Sequence, residues 1–191
     1  MAELRLLPRR DRGSGTGEVL DLAEARLVRR ARHRDPQALG ALWERVVDDA
    51  WSVAIALVDE DQAIAVLLAA REALISGAPG LRPDARWVEL PFGTVFDELH
   101  RRLELPALDS IDGSEWTVPG PPPDPVAVPR DPEAARRAVR FAPPALRLIY
   151  LFTLLTPCTL DGIARMAGIR PSVVRHARTA ATWRVLRELQ K

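Results

Sequence analysis

Ser172, Arg175, His176 and Thr179 are spaced i, i+3, i+4 and i+7, which on a helix puts two hydroxyls, a guanidinium and an imidazole on one face. Those groups suit nucleic acid. A guanidinium pairs bidentately with the O6/N7 edge of guanine, while hydroxyls and helix N-terminal amides hold phosphate. Arg165, Arg170 and Arg178 stand beside that face and suit contacts to the phosphate backbone, which add affinity without sequence information. Val174, Ala177 and Ala181 fall on the opposite side and are expected in a core. The expectation is a helix that enters a major groove. The alternative is a solvated arginine face on a helical hairpin.

Other chemistry finds little support. His33, His100 and His176 lie far apart, and no His-x-x-x-His or Cys-x-x-Cys spacing occurs that would hold a metal. Asp48-Asp49 and Asp97-Glu98 are adjacent, so on a helix their carboxylates point about 100° apart. No enzyme activity, metal or cofactor is expected. Cys158 is the single cysteine and cannot form an internal disulfide; it is expected to pack as a small hydrophobe. The glycine cluster Gly13 to Gly17 could cradle phosphate only after a strand, and no strand pattern precedes it.

The face over Ser172 to Thr179 needs a scaffold, and the preceding residues provide one. Thr159 or Asp161 can cap a two-turn helix burying Leu160, Ile163, Ala164 and Ala167. Gly168 supplies the left-handed residue that a tight turn requires, Ile169 anchors the turn, and Pro171 opens the next helix. Small residues at 164 and 167 let the two helices cross closely. Together they predict a helix-turn-helix.

Upstream, apolar residues recur at three- and four-residue steps. They predict helices over Glu18 to Arg34, from Pro36 without interruption to Val58, from Asp59 to Gly77, and from Phe92 to Leu105, where Pro91 starts the helix. A short helix from Asp131 to about Arg140 and three more, over Pro143 to Leu155, Leu160 to Ala167 and Pro171 to Leu189, complete an all-α fold. The proline-rich run Val118 to Pro125 reads as an extended linker. The expected division is a flexible N-terminus (1–17), a helical domain (18–105), a linker (106–132) and a helix-turn-helix domain (133–191).

Charge follows the same division. Arg136 to Lys191 carries eleven basic residues against Asp161 and Glu188, a net of +9, whereas Trp51 to Ala135 carries six arginines against fifteen acids, a net of −9. The basic segment fits a polyanion. No run is long and apolar enough for a membrane span, and Met1 to Arg12 is too charged for a secretion signal, so a cytoplasmic protein is expected.

With these residues in view, a family likeness emerges. Phe141 to Tyr150, followed by Leu160 to Ala164 and Gly168 to Arg175, resembles the −35-reading region 4 of extracytoplasmic-function sigma factors of the sigma-70 family. Ala31 to Trp43 is similar to the opening of region 2 in that family, and Trp87 with Phe92 to Arg102 to its −10-reading helix. The resemblance implies a transcription initiation protein with double-stranded promoter DNA and the RNA polymerase core as partners, an anti-sigma or other protein as antagonist, and −10 contacts from Arg101 and Arg102. The chain departs from the pattern at several positions. Ala65 and Leu68 stand where the family has an aspartate and a glutamine that dock on the polymerase clamp, Gly162 where it has a glutamate, and Arg170 where it has a serine cap. The alternative expectation is a sigma-like regulator that keeps the helix-turn-helix and uses its apolar third helix to dimerise or bind another protein.

Overall fold

A computed structural model describes residues 22–77, 86–108, 136–137, 139–140 and 142–189. The N-terminal tail 1–17, the linker from 109 onward and the start of the helix expected at Asp131 lie outside the described residues. Among those described, every regular element is a helix: α1 Leu22–Arg32, α2 Pro36–Trp43, α3 Val47–Leu57, α4 Glu60–Gly77, α5 Glu89–Arg102, α6 Pro144–Leu155, α7 Leu160–Ala167 and α8 Pro171–Leu189. The fold is all-α. None of these helices is long and apolar enough to cross a membrane.

Local chemistry sets most of the helix starts. Asp35 caps α2, its Oδ1 accepting the N–H groups of Gln37 (3.0 Å) and Ala38 (3.2 Å), with Pro36 at the first helical position. Asp59 accepts the N–H of Gln62 at 2.9 Å and opens α4. Pro91 does not start α5. It occupies the third position of a helix that begins at Glu89, and it is tolerated there because N–H groups of the first turn have no intrahelical acceptor.

The continuous helix expected from Pro36 to Val58 is broken into α2 and α3. The chain turns at Glu44 to Val46, where the N–H groups of Arg45 and Val46 reach back three residues, to Leu42 (3.2 Å) and Trp43 (2.9 Å). No glycine or proline marks the break. The turn re-aims the apolar stripe, so that Leu39, Leu42 and Trp43 from one piece and Ala50, Val53 and Ala54 from the other are all buried.

The N-terminal and C-terminal blocks, expected as separate domains, share one buried cluster. Phe152 of α6 meets two rings of α5 edge-on: Phe96 at 5.0 Å between centroids and Phe92 at 6.3 Å. Polar ties follow the same seam. Arg86 donates to the carbonyl of Pro157 and Arg136 to that of Ile55, both at 3.3 Å. The segregation of charge along the sequence is therefore not matched by separate cores. Apolar positions at helical spacing in both blocks supply one interior.

Candidate nucleic-acid interface

The Thr159 side chain caps α7, its Oγ1 accepting the Gly162 N–H at 3.0 Å. At the other end Gly168 takes a left-handed conformation (φ 66°, ψ 22°), and the N–H of Ile169 closes the turn on the carbonyl of Ala164 at 3.0 Å. Any side chain at 168 would be strained by that φ. Pro171 then opens α8, whose first turn is fixed by the Arg170 carbonyl accepting the Val173 N–H at 2.9 Å. Arg170 thus starts the helix through its backbone, which leaves its side chain exposed.

The turn rotates α8 so that one side is buried and the other faces outward. Val173, Val174, Ala177, Ala180 and Ala181 are buried, two more than the stripe identified from sequence. Ser172 and Arg175 are exposed beside Arg170, and His176, Arg178 and Thr179 are half-buried along the same helix. The Thr179 hydroxyl donates to the Arg175 carbonyl at 3.0 Å, so what it offers a ligand is acceptor capacity. The four residues of the sequence motif are therefore together on α8, with Ser172 and Arg175 the most accessible.

Arg165 has a different assignment. Its guanidinium is held by Glu89 of α5, with Nη2 donating to Oε1 at 2.7 Å and to Oε2 at 2.9 Å, and Nε to Oε2 at 3.2 Å. The carboxylate is 5% exposed and the arginine side chain 31%. Arg165, expected at the phosphate backbone, has its Nε and Nη2 donors held by this acid. Sequence reasoning missed Glu89 because it is 76 residues away in a separate predicted block. A Cβ at position 162 would lie 2.6 Å from Glu89 Oε1, so glycine at 162 is what admits the carboxylate.

Arg101 and Arg102 lie at the exposed end of α5 and both bond Glu98, Arg102 through Nε at 3.1 Å. The hydrogen bond from Arg101 holds the Glu98 carboxyl below its ordinary range, with Arg102 adding to the effect. They are not brought into the α8 face, and Glu98 offsets part of their charge. Trp87, the other residue of that motif, is half-buried with the Arg45 guanidinium 6.0 Å from its ring centroid. A shallow cavity of about 290 Å³ separates the second half of α5 (Phe96, Asp97, His100) from the α7–α8 turn.

Cys158, two residues before α7, is buried, and burial pushes its thiol up to about 12. Among the described residues no three His, Cys, Asp or Glu side chains converge as a metal site would require. Compared with protein-family models, curated proteins and solved structures, the chain matches none.

Proposed function

We propose that this chain is a sigma-factor-like, DNA-binding protein of transcription initiation, in which α7 and α8 form a helix-turn-helix and α8 enters the major groove of an upstream promoter element. The observation that carries this reading is the outward face of α8, with Ser172 and Arg175 exposed near its N-terminus and five apolar residues buried behind them. Arg175 reads a base edge, while Ser172 and the first-turn amides hold phosphate. Arg170 and Arg178 add backbone contacts. The net +9 of residues 136–191 supplies the long-range attraction. The protein acts by positioning, without a cofactor, in the cytoplasm.

The test is transcription with purified RNA polymerase core and genomic fragments, run beside DNA binding across salt. The expected results are promoter-specific transcripts and an affinity that falls steeply with salt, by about 0.9 log units per log unit of salt for each phosphate neutralised. The absence of both transcripts and core binding would remove the sigma reading, and salt-independent affinity would remove the DNA reading altogether.

A second reading is a regulator that binds DNA without docking on polymerase. It is favoured by α4, where Ile64 and Leu68 are exposed and Ala65 and Leu68 replace the polar docking residues that the resemblance implies. Transcripts from purified polymerase core decide between the two.

A further inference from the structure

The outer side of α4 is patterned to match itself. Its buried row is Ala63, Val66, Ala70 and Leu74. Roughly 130° round the helix, Asp61, Ile64, Leu68, Arg71 and Ile75 repeat at steps of three, four, three and four and fall within an arc of about 80°. Ile64 is 46% exposed and Leu68 65%, and they are the exposed large hydrophobics among the described residues. Asp61 and Arg71 are exposed as well, and neither has a side-chain partner among those residues.

An apolar pair alone would fit many partners, but the charges at its ends narrow the choice. The seam reads acid, apolar, apolar, base in one direction. Run backwards, it is its own complement. If two α4 helices lie antiparallel about a twofold axis level with Val66, Ile64 faces Leu68 of the second copy, and Asp61 faces its Arg71. The axis repeats both contacts, giving two ion pairs bracketing an apolar centre. The three–four spacing is that of a helix pair with interlocking side chains, in which successive layers fall on one seam. A parallel pairing would set Asp61 against Asp61 and Arg71 against Arg71, which like charges disfavour. The pattern thus specifies both the partner and its direction.

We propose that α4 is a self-association surface, on which a second copy of this chain docks antiparallel through Ile64, Leu68 and the Asp61–Arg71 pairs. The contact is small, so the dimer forms reversibly with concentration. The inference does not depend on what α8 binds.

The experiment is sedimentation velocity on the full chain from about 1 μM to about 1 mM, a range that captures weak association. The expected result is a concentration-dependent dimer, whose midpoint moves by about tenfold or more in Leu68→Lys. Asp61→Arg and Arg71→Asp should each weaken the dimer, because each replaces two attractive contacts with two repulsive ones. Combining them reverses both charges and should restore it. All three positions are at the surface, and far-UV circular dichroism checks that each variant stays folded. A wild type that is monomeric throughout would overturn the proposal, as would a double variant no better than the single ones. A monomer that is captured by RNA polymerase core, with Leu68→Lys abolishing the capture, would assign the face to polymerase instead.

Discussion

The carboxylate of Glu89 fills the space in which a side chain at Gly162 would begin, and from there it grips Arg165 in a forked ion pair. A helix of the N-terminal block thereby reaches into the first turn of α7. The position where the resemblance implies a glutamate is glycine in this chain, and a carboxylate comes to the same place from α5.

The two ends of that pair are unequally placed, and substitutions should reveal it. Arg165→Ala strands a carboxylate that is 5% exposed, and it is expected to cost about 3 kcal/mol. Glu89→Ala leaves a guanidinium that already reaches water, and should cost about half as much. Gly162→Ala forces the carboxylate aside and is expected to destabilise by about 1–3 kcal/mol. Urea unfolding orders the three. Equal losses for Arg165→Ala and Glu89→Ala would show that burial does not govern the pair.

Arg175 on α8 and Arg170 just before it are both exposed and carry the same charge, yet they are assigned different work. Arg175→Ala should relax preference at one base pair at a cost of about 1–3 kcal/mol. Arg170→Ala should weaken all sequences alike and reduce the salt slope by about one. Competition binding with randomised duplexes, repeated at several salt concentrations, separates them. Identical profiles would refute the division into groove and backbone roles.

Much of this arrangement can be read in the residues themselves. Thr159, Gly168 and Pro171 each do a local job that their chemistry announces, so the α7–turn–α8 boundaries follow from sequence. The break between α2 and α3 does not, because Glu44, Arg45 and Val46 are all competent helix residues and only tertiary burial makes the chain turn there. Glu89 is similarly silent, since a carboxylate beside Pro91 gives no sign that its partner lies on a distant helix. Periodicity reports which face of a helix is buried, never against what. That is why a shared interior was expected as two.

The Glu98 fork predicts a specific acid response. Arg101 and Arg102 depress the folded-state carboxyl below its ordinary value of 4.5, so the stabilisation is complete above that value and is lost as pH falls through the depressed one. Glu98→Gln should therefore be less stable than wild type at neutral pH, with the two converging in acid. Thermal melts at intervals from pH 7 to about pH 2 measure the gap. A gap that widens on acidification would contradict the assignment.

Cys158 offers an internal reporter of unfolding. With its thiol pushed up to about 12 by burial, it should not react with an aromatic disulfide reagent at pH 8, whereas one equivalent should react in denaturant. Stopped-flow absorbance follows both conditions. Rapid reaction of the folded protein would show that the buried thiol becomes accessible without global unfolding.

Phe152, meeting Phe92 and Phe96 edge-on, has a mechanical consequence. A chain whose two ends share these rings is braced at that seam: when α6 tilts, α5 must tilt with it, and a change of angle between them means pulling aromatic surface into water. Anything bound on α8, which packs on α6 and α7, would be held at one attitude to α5. A ligand that spans both must fit one preset span, because the protein has no slack there to take up the difference.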